Sequence, residues 1–93
     1  MKTTEEIKDS VQSAGLARIK LRKCSMCGYT LSYILRERPL LDTGCDCVRG
    51  TTLTEVSWDK IADYFNGCMD FYTKNNNQEA INRLNIDFGF EGN

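Results

Sequence analysis

Four cysteines in two close pairs are the residues of this 93-residue chain best suited to chemistry. Cys24 and Cys27 lie in Cys24-Ser25-Met26-Cys27-Gly28, and Cys45 and Cys47 in Gly44-Cys45-Asp46-Cys47. Structural zinc takes four ligands in a tetrahedron, and thiolate sulfur suits it best among side chains. Two residues between Cys24 and Cys27 let a tight knuckle aim both sulfurs at one ion, with Gly28 free to take a left-handed backbone angle just after the second ligand. The second pair is tighter. Alternate residues of a strand point to one face, so Cys45 and Cys47 can both face a metal, and Gly44 lets the chain bend in beside it. The expected centre is therefore one structural Zn2+ held by Cys24, Cys27, Cys45 and Cys47. Four thiolates leave no open position for water or substrate, so the expected role is structural rather than catalytic.

Disulfides, an iron-sulfur centre and unliganded thiols compete with zinc for the same residues. Five cysteines fit a closed disulfide framework badly, and Cys68 stands apart from the other four. The opening Met1-Lys2-Thr3-Thr4-Glu5-Glu6 is polar and no long apolar run follows, so no secretory leader is expected. The chain has no histidine, so a tetrahedral all-protein site must use four cysteines or borrow a carboxylate such as Asp46. Cys68 falls in an apolar helical stripe and reads as a small buried hydrophobe rather than a fifth ligand or a reactive thiol.

Beyond the cysteines no catalytic constellation is visible. Without histidine the commonest general base is missing, and no glycine-rich phosphate loop or nucleophile elbow occurs, so no enzyme activity is expected. Asp59, Asp63 and Asp70 share the polar side of one expected helix, an arrangement that reads as a solvated face before it reads as paired-carboxylate chemistry. Arg18, Lys20, Arg22 and Lys23, with Tyr29 and Tyr33 nearby, fit either a nucleic-acid surface or the polar outer face of a sheet.

Charge weighs on that choice. Twelve Lys and Arg stand against 13 acids, a net −1, without the basic excess usual for nucleic-acid binders. The two halves differ in sign: residues 1–50 hold nine basic residues against six acids, and residues 51–93 hold three against seven. The acidic half permits the opposite idea, that carboxylates are presented to a basic groove of a partner protein, with Asp59, Asp63, Asp70 and Glu79 as candidates. No membrane span, lipidation motif, low-complexity tract or internal repeat is seen. A soluble cytoplasmic protein with no membrane partner and no small-molecule substrate is expected.

The elements that must position these residues follow from periodicity. Thr3 or Thr4 can cap a helix with Glu5 and Glu6 in its first turn and Gly15 at its end, its narrow apolar stripe being Ile7, Val11 and Ala14. From Arg18 the period is two, with Ile19 and Leu21 facing one way and Arg18, Lys20 and Arg22 the other. After the knuckle reverses the chain, Tyr29, Leu31, Tyr33 and Leu35 share one face of a second, antiparallel strand, and Thr30, Ser32, Ile34 and Arg36 the other. Arg38-Pro39 marks a turn, and Leu40 to Asp42 can pair back as a third strand that returns the chain to the metal. Thr51 to Val56 is a weaker extended stretch. Ser57 can cap the strongest helix, whose apolar stripe is Trp58, Ile61, Ala62, Phe65, Cys68, Met69 and Tyr72. Lys74-Asn75-Asn76-Asn77 breaks it, and Asn77 can cap a last helix containing Ala80, Ile81 and Leu84, after which Ile86 to Phe90 is apolar enough to dock. The expected fold is α+β: a small antiparallel sheet stapled by the four-cysteine zinc site, with an N-terminal helix and two C-terminal helices packed on it. It forms one domain over residues 1–93, divided into an N-terminal helix (1–15), a zinc-bound sheet (18–56) and C-terminal helices (57–88).

Two stretches carry a resemblance: Cys24-Ser25-Met26-Cys27-Gly28-Tyr29 followed by Asp42-Thr43-Gly44-Cys45-Asp46-Cys47, and then Ser57-Trp58-Asp59-Lys60-Ile61-Ala62-Asp63-Tyr64-Phe65-Asn66. Together, over residues 24 to 66, the chain resembles small zinc proteins encoded by phages and mobile elements of bacteria. Proteins of this size and type include anti-CRISPR inhibitors. The resemblance implies a non-enzymatic protein that binds and inhibits a host protein, a type II CRISPR effector nuclease or another nucleic-acid enzyme, in the host cytoplasm. No residue of an inhibitory motif carries over. A zinc-ribbon nucleic-acid binder or small transcription regulator is the alternative.

Overall fold

Thr3 starts the first helix, α1 (Thr4–Ala14), through a reciprocal capping box. Its side chain accepts the Glu6 N–H at 3.2 Å, and its own N–H donates to Glu6 Oε1 at 3.2 Å. Gly15 closes the helix in the left-handed conformation, φ 70°, while the Leu16 N–H reaches back to the Val11 carbonyl. In the computed structural model, which describes residues 1–28, 30–42 and 53–91, six more helical and sheet segments follow α1 among the described residues. Strands β1 (Arg18–Lys23), β2 (Thr30–Ile34), β3 (Leu40–Asp42) and β4 (Leu53–Glu55) precede α2 (Trp58–Lys74) and α3 (Gln78–Asp87). The fold is α+β, with an N-terminal helix, a four-stranded antiparallel sheet and two C-terminal helices.

The chain divides into two compact units, one comprising Met1–Leu16 with Trp58–Asn93 and the other Ala17–Ser57. In the helical unit α1 and α3 both pack on α2. Its core is Ile7 and Val11 from α1, Ile61, Ala62 and Phe65 from α2, Leu84 from α3, and Phe88 just beyond. Ile7 and Val11 are fully buried, so the narrow stripe of α1 is core, whereas Ala14 is exposed. Phe65 meets Phe88 edge-on at 4.9 Å between centroids and Phe90 at 5.2 Å. The expected docking of residues 86–90 is thus made by Phe88 and Phe90, while Ile86 is exposed. Both polar turns close as their sequence requires. Asn76 takes φ 52° after α2, and Asn77 caps α3 by accepting the Ala80 N–H at 3.1 Å.

The sheet unit is a meander in the order β1-β2-β3-β4. Pro39 sits at the β2–β3 turn, and its carbonyl accepts the Val56 N–H at 3.0 Å. Ile19 pairs with Tyr33 and Tyr33 with Leu41, which fixes one face; Lys20, Ser32 and Asp42 form a row on the other. One expectation is corrected here. The simple alternation along β1 is broken by a bulge: Lys20 pairs with Ser32 but Arg22 pairs with Leu31, so the residue Leu21 is extra. Arg22 consequently lies on the Tyr33 face, opposite to Arg18 and Lys20. On β2, Ser32 is fully buried, with Lys20 and Asp42 as its cross-strand neighbours, and Tyr33 on the opposite face is buried as well. The Ser32 hydroxyl has no hydrogen-bond partner among the described residues.

Candidate metal centre and acidic helix face

The knuckle between β1 and β2 has the backbone that a two-thiolate clasp requires. Residues 25–27 form a turn, the Gly28 N–H donates to the Cys24 carbonyl at 2.9 Å, and Gly28 takes φ 77°. A side chain at Gly28 would be strained at that angle, so glycine is needed where the chain leaves the knuckle. Cys24 is half-buried and Cys27 exposed. The stem of Lys23 passes over the knuckle, its Cε 3.5 Å from where a β-carbon on Gly28 would stand. Cys45 and Cys47, and Asp46 between them, lie outside the described residues, as does Tyr29. Among the described residues no group of three or more cysteines and carboxylates is placed to hold a metal. Cys68 is half-buried on α2, more open than the buried hydrophobe its place in the apolar stripe predicts.

The acidic candidates fall on α2 and α3. At 100° per residue Asp59, Asp63, Asn66, Asp70 and Thr73 form one stripe along α2. The structure gives them different company. Asp59 Oδ1 accepts the Thr4 hydroxyl at 2.7 Å, and Asp70 pairs with Lys74 at 3.0 Å, whereas Asp63 makes no ion pair or hydrogen bond among the described residues. Asn66, which sequence reasoning passed over, grips the main chain of Lys2 from both sides. Its Nδ2 donates to the Lys2 carbonyl at 2.8 Å and its Oδ1 accepts the Lys2 N–H at 3.0 Å. The Lys2 ammonium lies 4.5 Å from the Phe90 ring centre. Asp63, Asn66, Asp70 and Met69 thereby line a groove of about 650 Å³ with Met1 at its rim. Glu79 is in the first turn of α3 and lines a separate depression with Asn82, Arg83 and Ile86, sharing no residue with the α2 groove.

The basic candidates are dispersed. Arg18 is drawn to the buried carboxylate of Asp42 at 3.5 Å, and the bulge separates Arg22 from Arg18 and Lys20. Charge does separate by unit. Residues 17–57 carry seven Lys and Arg against four acids, and the helical unit five against nine. No helix among the described residues is long and apolar enough to cross a membrane.

No family model matches the chain, and neither does any curated protein or solved structure.

Proposed function

We propose that this is a non-enzymatic protein whose sheet unit is stapled by one structural zinc on Cys24, Cys27, Cys45 and Cys47, and which binds and inhibits a host protein through its acidic helical surface. The partner of choice is a type II CRISPR effector nuclease, whose nucleic-acid channel is basic. The observation that carries the reading is the row Asp59, Asp63 and Asp70 on one face of a single continuous helix. Carboxylates so aligned compete with a phosphate backbone for lysines and arginines. The knuckle supports the metal: its turn, its inward Gly28 amide and its left-handed exit are what two cysteines need to share an ion. Glu79 adds a carboxylate on the next helix, outside the row.

A second reading, a zinc-ribbon nucleic-acid binder or small transcription regulator, draws on the basic excess of residues 17–57. The bulge that splits Arg22 from Arg18 and Lys20, and the Asp42 carboxylate beside Arg18, count against one continuous phosphate-tracking stripe. One experiment separates the two. Capture of the effector nuclease by the zinc-loaded protein, with loss of target cleavage, supports inhibition. A salt-dependent shift of DNA or RNA without nuclease capture supports the alternative and refutes the first reading.

A further inference from the structure

One stripe of α2 has features that folding of this chain does not require. Gly67 stands in the middle of a 17-residue helix, although glycine is the poorest helix former after proline. A β-carbon there would meet nothing within 4 Å, so neither crowding nor backbone angle demands glycine. One turn on, Phe71 is 62% exposed, its ring touching only the edge of Tyr72 among the ring contacts described, at 5.9 Å. Asp63, Gly67, Asp70, Phe71 and Lys74 recur at i, i+4, i+7, i+8 and i+11, the spacing of one helical face. That face offers an apolar ring, a gap where a side chain is missing, and carboxylates beside both.

We propose that this stripe is the docking surface for a positively charged amphipathic helix of a protein partner. The missing side chain at Gly67 allows a close crossing of the two helices, since interaxial distance is set by the side chains at the contact. Phe71 supplies the apolar anchor, the kind of residue that dominates interface energetics. Asp63, which has no ion pair among the described residues, meets a lysine or arginine of the incoming helix, and Asp70 exchanges Lys74 for another. The choice of a cationic helix rests on this charge: an acidic helix or a phosphate backbone would be repelled by the same two carboxylates. The proposal deepens the reading of α2 as the partner surface and depends on it for the side of the molecule used.

The test uses the full zinc-loaded chain and a fluorescent synthetic peptide of about 14 residues, roughly four helical turns of leucine and lysine in amphipathic order, beside its leucine and glutamate counterpart. The lysine peptide is expected to bind and the glutamate peptide to stay free. Gly67→Ala should raise the melting temperature yet weaken binding, and Gly67→Leu and Phe71→Ala should each weaken it about tenfold or more. Those opposite signs at Gly67 are what a purely structural glycine cannot produce. Asp63→Asn with Asp70→Asn should weaken binding and flatten its salt dependence. Equal binding of both peptides, or unchanged binding in Gly67→Leu and Phe71→Ala, overturns the proposal. So does a dimer of the wild-type chain that Gly67→Leu dissociates, because the occupant would then be a second copy. Peptide binding with these losses but no capture of the effector nuclease leaves this surface standing and removes that partner. Nuclease capture unaffected by Gly67→Leu does the reverse.

Discussion

Cys24→Ser and Cys68→Ala should part company. The first removes a ligand from the proposed centre and is expected to lower zinc from about one per chain to almost none in protein purified without added metal, with loss of the sheet signal. The second leaves the zinc content unchanged and costs about 1 kcal/mol of packing, because Cys68 is only half-buried. A fully folded wild-type protein that contains no metal would end the zinc proposal. Ser32→Ala should stabilise the sheet unit by about 1 kcal/mol in urea unfolding. Its hydroxyl is buried without a partner among the described residues, and such a group carries a desolvation cost that alanine does not. Glu6 supplies a pH dependence. The hydrogen bonds with the Thr3 backbone and then its hydroxyl hold the Glu6 carboxyl below its usual range. A lowered folded-state pKa stabilises above the ordinary glutamate range, and that contribution is lost as pH falls through the lowered value. Glu6→Gln should therefore flatten the acid dependence of α1 by lowering its stability at neutral pH toward the level the wild type reaches below the lowered value.

The helices end by one shared device, but their surroundings set different costs for breaking it. Gly15 and Gly89 both take left-handed angles, φ 70° and 80°. A β-carbon at Gly15 meets nothing, whereas at Gly89 it would come 2.8 Å from Ala14 Cβ and 3.0 Å from the Ser10 carbonyl oxygen. Gly15→Ala is expected to cost about 1 kcal/mol from the backbone angle alone, and Gly89→Ala about 2–4 kcal/mol because the clash with α1 is added. The two midpoints in urea measure the difference, and equal costs would contradict the close approach of α1 to the end of α3. The Ser10 hydroxyl, which donates to the Phe88 carbonyl at 2.8 Å, ties the same two elements.

Two compact units predict two behaviours when the proposed zinc is withdrawn. Apparent zinc-binding energies in small peptides are roughly 10–16 kcal/mol, of the order of a whole domain's net stability of about 5–15 kcal/mol. Chelation should unfold residues 17–57 while the helical unit, whose core contains none of the proposed ligands, keeps amide protection in hydrogen exchange. Uniform loss of protection across both units would show that they fold as one. The segregated charge gives a paired test of function at the same scale. Asp59, Asp63 and Asp70 replaced together by alanine should leave zinc content unchanged and cost little stability, since exposed pairs such as Asp70–Lys74 contribute at most about 1 kcal/mol each. Partner binding should weaken and lose salt dependence. If that variant binds normally and replacing Arg18, Lys20 and Arg22 abolishes activity, the nucleic-acid reading takes its place.

Features whose partners lie within a few residues were legible in the chain itself. The N-terminal cap at Thr3, one of the two threonines the sequence offered, the stop at Gly15, the Asn77 cap and the left-handed exit of the Cys24–Cys27 knuckle are each satisfied by groups nearby in sequence, so local composition specifies them. So was the α+β order of elements, because hydrophobic period changes from 3.6 to 2 and back along the chain. What neighbours in space decide was not legible. The bulge at Leu21 depends on how β2 registers against β1, and it moves Arg22 to the face that alternation denied it. Ser32 is buried between its cross-strand neighbours Lys20 and Asp42, a placement that a polar residue in an alternating pattern does not announce. Asn66 looks like one more polar residue of a solvated helix face until the fold brings Lys2, 64 positions away, within reach of both ends of its amide. Composition and period along the chain determined the elements and the candidate ligands; which residues meet was decided by contacts too distant in sequence for any local pattern to encode.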